Sequence, residues 1–147
     1  MPTNYNSLPQ KLEAALVTYL DTVTTSMGLT GLQIVAAHQD TALEAPRAII
    51  TVSDCTAYGI DLLGVFNIQF KVEYISQSET TTAAHHTAAG TLQSWLFDIS
   101  TVKAALNATA DLFLHNLHVE GLNYEVDAEA GTTTSTTMFS CLATGAD

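Results

Sequence analysis

The chain has few cationic residues and few charged residues of any kind. Only four of its 147 residues are Lys or Arg, against 15 Asp or Glu, so its formal net charge is −11. The four cations, Lys11, Arg47, Lys71 and Lys103, are scattered and form no basic patch for a phosphate backbone. Sequence-specific nucleic-acid binding is therefore not expected. Charged residues make up 13% and hydrophobic residues 47%, a balance that predicts a folded protein rather than a disordered tail.

Long hydrophobic runs are also missing. No apolar stretch approaches the ~20 residues that a membrane-spanning helix needs. The N-terminus has neither the basic nor the apolar segment of a secretory signal. We therefore expect a protein made in the cytoplasm with no membrane partner. The length suits a single domain over residues 1–147 with one substantial core.

Motifs that carry catalysis or bind metals are absent as well. Cys55 and Cys141 match no metal or redox spacing, so we expect two buried thiols. The sequence contains no G-x-S-x-G, no H-E-x-x-H and no Gly-rich phosphate loop. The acidic residues Glu125, Asp127 and Glu129 are expected to form a solvated turn. The sequence thus predicts no catalytic residue, no metal site and no cofactor, and a protein that is not an enzyme.

Hydrophobic periodicity divides the chain into helices and strands. Steps of three and four predict helices, and alternation or β-branched runs predict strands. The predicted helices cover residues 7–27 and 82–98, with further helical turns over 101–108. The predicted strands cover residues 33–38, 47–55, 64–76, 112–127 and 132–144.

The strand pattern indicates the fold class. Phe66, Ile68, Phe70, Val72 and Tyr74 alternate with polar residues, as in antiparallel strands that are buried on one face. The apolar positions of the 112–127 strand change phase, which a β-bulge near Gly121 would explain. After the bulge they are the even-numbered Leu122, Tyr124 and Val126, which should share one face. We expect an α+β fold, with two main helices packed on one face of a mostly antiparallel sheet.

The histidines and one glycine have expected positions. On the second helix, His85 falls on the apolar arc and His86 points away from it. His115 and His118 are three apart in a strand and are expected on opposite faces. Gly90, inside the second helix, suggests close packing on the sheet.

The connection over residues 56–63 is unusually apolar. It contains Tyr58, Ile60, Leu62 and Leu63, and an exposed patch of this kind often contacts another chain. We interpret these four residues as a candidate interface. The alternative is that the two flanking strands simply extend further.

The order of elements resembles the tail terminator (tail completion) proteins of long-tailed bacteriophages. The resemblance covers roughly residues 7–126. It is carried by the helix over 8–23, by Ala45-Pro46-Arg47-Ala48-Ile49-Ile50, and by the strand over 65–75 that leads through Gln77-Ser78-Glu79-Thr80 to His85-His86.

The resemblance implies a structural protein of the virion at the head–tail junction. Such a protein forms a ring, usually of six copies, that ends tail-tube growth and joins the tail to the neck. The implied partners are further copies of the chain, the tail tube protein and a neck or head-completion protein. Genome DNA would pass through the lumen without sequence-specific binding.

Three alternatives remain at this point. The chain could be another phage neck or tail ring protein, such as a head-completion, stopper or tail tube protein. A small ligand-binding module would need a defined apolar pocket with converging polar groups. A small enzyme using His85, His115 or His118 with an acid would need these segments to meet in one cleft.

Overall fold

The computed structural model describes residues 8–29, 31–37, 46–57, 65–77, 82–109 and 112–145. Within these ranges the chain forms three helices and one five-stranded sheet. The helices are α1 (Leu8–Met27), α2 (Thr82–Leu96) and α3 (Ile99–Thr109), and the strands are β1 (Gln33–Ala36), β2 (Arg47–Ala57), β3 (Val65–Gln77), β4 (Leu112–Asp127) and β5 (Thr132–Gly145).

The sheet has the strand order β1-β2-β3-β5-β4. Three of its four strand pairs are antiparallel, but β1 and β2 run parallel, with Gln33 opposite Arg47 and Ala36 opposite Ile50. The predicted α+β fold with a mostly antiparallel sheet is therefore confirmed. The single parallel pair was not expected, because the alternation within a strand does not reveal the direction of its neighbour.

The helices cover one face of the sheet. In β3 the even-numbered residues face the helices, and in β5 the odd-numbered ones do, because paired residues of neighbouring strands share a face. Phe70 and Phe139 stack at the centre, with ring centroids 4.9 Å apart. No helix in the described ranges packs on the other face, which we call the helix-free face. The largest fully buried side chains are Leu8, Leu12, Leu16, Leu20, Ile50, Ile68, Phe70, Leu92, Leu96, Leu106 and Phe139.

Helix α1 packs its predicted apolar stripe against the sheet and also buries one carboxylate there. Leu12, Leu16 and Leu20 are fully buried, as the spacing of three and four predicts. Glu13 is only 7% exposed, and its Oε1 accepts a hydrogen bond of 3.0 Å from the backbone amide of Val52. The register of β2 shifts between Val52 and Asp54. Glu13 therefore satisfies a backbone donor beside this irregularity.

The second predicted helix ends two residues earlier than expected. Leu96 is its last residue, and Asp98 then directly precedes α3. The backbone oxygen of Asp98 accepts a hydrogen bond of 3.0 Å from the amide of Val102, and its Oδ2 accepts one of 2.8 Å from the hydroxyl of Thr101. The expectation for Gly90 was wrong. Gly90 is exposed, and a Cβ added there would meet nothing within 4 Å.

Strand β4 contains two irregularities. The predicted bulge near Gly121 is confirmed by a register shift between Val119 and Gly121. A second shift lies between His115 and His118, where Asn116 has a φ of 54°. It places His115 opposite Leu142 and His118 opposite Ser140, both on the helix-free face. The expected opposite faces were therefore wrong, because the extra residue changes the alternation.

The two cysteines differ in exposure. Cys141 is buried as expected, and burial, with a smaller effect of nearby Cys55, raises the pKa of its thiol to about 12. Cys55 is only half-buried, and both thiols are free. None of the helices in the described ranges is long and apolar enough to cross a bilayer.

Candidate assembly surface

Strand β4 forms one edge of the sheet. It is 16 residues long, and within the described residues it pairs only with β5. The amide and carbonyl groups along the outer edge of such a strand are available to another chain. Long open edges are a liability that proteins normally shorten or cover. The open edge of β4 is therefore a feature that needs a structural explanation.

The second half of β4 exposes three large apolar side chains. Leu122, Tyr124 and Val126 are 56%, 43% and 57% exposed, and we call them the β4 row. They lie opposite Thr137, Ser135 and Thr133 of β5, which are themselves buried. The bulge at Gly121 turns the row toward the side of the sheet that carries the helices. Here α2 packs on β3 and β5, so the row stands beside the helix, with the ring of Tyr124 against its first turn.

The phase change in β4 was the sequence signal for this row. Alternation predicted that Leu122, Tyr124 and Val126 share one face, and the register confirms it. Periodicity could not show that no helix of the described ranges covers the part of that face where the row lies. The exposure depends on where α2 lies, which is a property of the tertiary structure.

The first turn of α2 packs beside the row. The ring of Tyr124 lies 4.9 Å from the ring of His86 and 5.9 Å from the ring of His85, measured between centroids. His85 is 1% exposed, and its two ring nitrogens lie 2.6 Å from Ser76 Oγ and 2.8 Å from Ser135 Oγ. One nitrogen donates and the other accepts, because a neutral imidazole has one of each. His85 thus joins α2 to β3 and β5 directly behind the row.

Burial affects the protonation of this histidine. Desolvation, with a smaller effect of neighbouring His86, lowers the pKa of His85 below its ordinary value. The neutral ring therefore fits the site. The expectation that His85 lies on the inner face of its helix and His86 outside is confirmed by their burial and exposure.

The structure does not bring the candidate catalytic histidines together. His85 lies between α2 and the sheet, whereas His115 and His118 lie on the helix-free face. His118 is exposed and bonds to Glu120 at 2.7 Å, and its pKa is raised, first by the backbone oxygen of Asn116 and then by Glu120. Within the described ranges, no group of three or more His, Cys, Asp or Glu residues is arranged to hold a metal ion.

A shallow depression lies at the end of α1. Its volume is about 300 Å³, and its lining residues are Thr24, Thr25, Gly28, Leu29 and Gly31. None of these side chains carries a charge. The depression is at the end of a helix and the turn after it, rather than between the helices and the sheet where a ligand-binding module would place its ligand.

The interface predicted from the sequence cannot be compared with these surfaces. Tyr58, Ile60, Leu62 and Leu63 all lie outside the described residues. Their assignment to a contact with another chain stays a prediction. The β4 row is a separate surface, on the edge strand β4.

Comparisons with known proteins give similarities to solved structures alone. No protein-family model and no curated protein matches the chain. Among solved structures, it is similar to a chain described as "Virion of native gene transfer agent (GTA) particle", with a TM-score of 0.43 and 18% identity. The match covers 91% of this chain and 95% of that chain. At this TM-score the similarity carries no conclusion about function.

Proposed function

We propose that this chain is a structural virion protein of a tailed phage, and that it acts as a tail terminator. It forms a ring at the head–tail junction, ends the growth of the tail tube and joins the tail to the neck. In this role it is not an enzyme and uses no cofactor. Its partners are further copies of itself, the tail tube protein and a neck or head-completion protein.

The observation that carries the assembly role is the β4 row on an open sheet edge. Three neighbouring apolar side chains, each more than two-fifths exposed, lie along a strand without an outer partner in the described residues. Burying such a row is favourable by about 25 cal/mol for each Å² of apolar surface removed from water. A protein chain that covers both the row and the edge would gain apolar burial and backbone hydrogen bonds together.

The terminator role is supported by the order of elements. An N-terminal helix, three strands, a helical segment and a final strand pair follow one another, as the resemblance to tail terminators implies. The acidic composition suits a ring that DNA crosses, because a lumen of like charge does not hold the phosphate backbone. The DNA would pass without sequence-specific binding.

The test is capping of tail tubes by the purified protein. We expect electron micrographs of tubes grown with the unaltered chain to show a ring at one end and a limited tube length. The variant Leu122→Asp/Val126→Asp should lose the ring, because charges on the row oppose its burial. Both positions are exposed, so the fold should persist, which circular dichroism would show.

A matched control is Phe97→Asp. Phe97 is also exposed, at 42%, but lies between α2 and α3, away from the row. We expect this variant to cap tubes normally. Uncapped tubes with the unaltered protein present would refute the terminator role. Rings that form but do not bind tubes would indicate a head-completion or stopper protein. Polymerisation of the chain into tubes would indicate a tail tube protein.

A further inference from the structure

The end of the β4–β5 hairpin carries the β4 row on the face of the sheet that bears the helices, and acidic groups on the helix-free face and in the turn. Glu125, Asp127 and Glu129 are all exposed, and none is in an ion pair within the described residues. Asp127 Oδ1 accepts from the amides of Glu129 and Ala130, at 3.1 and 3.0 Å, and so holds the turn. The expected solvated acidic turn is present, and it lies next to the β4 row. We call this end, with the row, the hairpin end.

Complementary charges occur elsewhere on the same chain. Lys71 pairs with Glu73 at 3.2 Å, and Arg47 is half-buried in β2. Lys11 on α1 and Lys103 on α3 are in no ion pair with any described residue. Helices α1 and α3 pack against each other, so both lysines belong to one helical layer. Each is half-buried. A lysine in such a position typically buries its methylene stem and keeps its ammonium group in water.

The hairpin end cannot reach the α3 lysine of its own chain. The Oδ1 of Asn107 in α3 accepts from the amide of Leu114, at 2.8 Å, which fixes α3 beside the beginning of β4. From Leu114 to Asp127 the strand extends on the order of 40 Å, at about 3.3 Å per residue. Lys103 is only one helical turn from Asn107, or about 6 Å. Contact between the hairpin end and Lys103 therefore requires a second copy.

We propose that copies of this chain join head to tail, with the hairpin end of one copy against the α1–α3 layer, at Lys11 and Lys103, of the next. This inference rests on the proposed ring function and names the surfaces that form the ring. Pairing β4 with β4 of another copy so that the two rows meet would instead bring two sets of acidic residues together, which is repulsive. A contact between two different surfaces repeats around a rotation axis and can close into a ring.

Charge reversal on each surface provides the test. One variant is Glu125→Lys/Glu129→Lys at the hairpin end, and the other is Lys11→Glu/Lys103→Glu on the helical layer. We expect each alone to associate at least roughly tenfold more weakly than the unaltered chain, because each now meets like charge. Sedimentation velocity over a hundredfold concentration range reaching about 1 mM would measure this. Asp127 is left unchanged because it holds the turn.

Mixing the two variants distinguishes the proposed contact from association through other surfaces. Each variant is opposite in charge to the other on both surfaces, so an equimolar mixture should regain assembly in alternating rings. A matched control, Thr56→Glu/Gln69→Glu, adds acidic charge to exposed positions on the helix-free face and should assemble as the unaltered chain does.

Three outcomes would overturn the inference. If only the hairpin variant is impaired, copies pair through β4 alone. If the mixture does not recover, the two surfaces do not meet. If the unaltered chain stays monomeric up to the highest concentration, its copies do not join through these surfaces by themselves. Capping of tail tubes is measured separately, so the ring function can hold when this contact fails.

Discussion

Glu13 is a carboxylate within the buried stripe of α1, where the helical period predicts an apolar residue. A carboxylate fits this position because its oxygen accepts a hydrogen bond from the amide of Val52 beside the irregularity in β2. A buried backbone amide without an acceptor is costly, so one side chain of the helix layer stabilises a local defect of the sheet. Nothing in the local sequence of either segment indicates this contact.

Two substitutions of Glu13 distinguish the contribution of its acceptor oxygen from that of the rest of the side chain. We expect Glu13→Ala to lower the free energy of unfolding by about 1–3 kcal/mol, because the Val52 amide loses its partner. Glu13→Gln keeps an acceptor oxygen and should lose less. Urea denaturation would measure both, and equal losses for the two variants would contradict this role.

His85 should make the stability depend on pH. Its pKa is lowered in the folded state, so between that pKa and the unfolded value near 6.5 the unfolded chain binds more protons. Protonation of His85 therefore leaves the free energy of unfolding unchanged above about pH 6.5. Below that pH it lowers the free energy of unfolding by at most about 1.4 kcal/mol per pH unit. Tyr74, His86 and Tyr124 are the other titratable groups around its ring.

The pH effect can be isolated with two variants. In His85→Gln the free energy of unfolding should depend less steeply on pH between 5 and 7 than in the unaltered chain. In His118→Gln it should depend more steeply, because the raised pKa of His118 contributes stability at low pH that is lost as pH rises. Chemical denaturation at several pH values measures both slopes. Parallel slopes for His85→Gln and the unaltered chain would contradict the assignment.

At the scale of elements, the helices follow the periodicity of their apolar residues closely. Helix α2 nevertheless contains one residue that lowers its stability. Gly90 is exposed in the middle of the helix, and no close approach requires it. Glycine has greater freedom in the unfolded chain and disfavours a helix interior relative to alanine. The helix is therefore stabilised mainly by its buried residues, His85, Ala89, Leu92 and Leu96.

Gly90→Ala should stabilise the protein. We expect an increase of up to about 1 kcal/mol in the free energy of unfolding, because alanine restricts the unfolded chain and meets no neighbour in the folded one. Thermal denaturation would show a higher midpoint. Gly121→Ala is a useful comparison, because there a Cβ would lie 3.4 Å from the Cε of Met138 and would therefore meet a neighbour. A lowered midpoint for Gly90→Ala would contradict the open position of Gly90.

Strand β4 shows how an element acquires a role from its position. The two bulges redirect its side chains, so that His115 and His118 share one face and the β4 row occupies the other. A regular strand of the same composition would divide them differently. The same bulges twist the edge strand, which limits uncontrolled edge-to-edge pairing while leaving one apolar surface exposed.

At the scale of the whole molecule, charge and apolar surface act in opposite directions. A net charge of −11 makes copies repel one another, whereas the β4 row favours their contact. The outcome depends on distance, because salt screens long-range repulsion more than it screens groups in direct contact. Assembly of this chain should therefore respond to ionic strength.

Raising the salt concentration should strengthen self-association. Between about 10 mM and 150 mM salt the Debye length falls from about 30 to 8 Å, which removes most of the general repulsion but spares close ion pairs. Light scattering at fixed protein concentration would show larger species at the higher salt. The Leu122→Asp/Val126→Asp variant should remain small at both. Weaker association at higher salt would mean that charged contacts dominate over the apolar row.

The sequence by itself determined the local structure of this protein. Period and alternation predicted the helices, the strands, the bulge near Gly121 and the inner position of His85, because each depends on neighbours within a few residues. The tertiary structure alone decided the parallel pairing of β1 with β2, the contact of Glu13 with Val52 and the exposure of Leu122, Tyr124 and Val126. These features arise where segments distant in the chain meet or fail to cover one another. A local sequence pattern does not encode how distant segments are placed relative to one another.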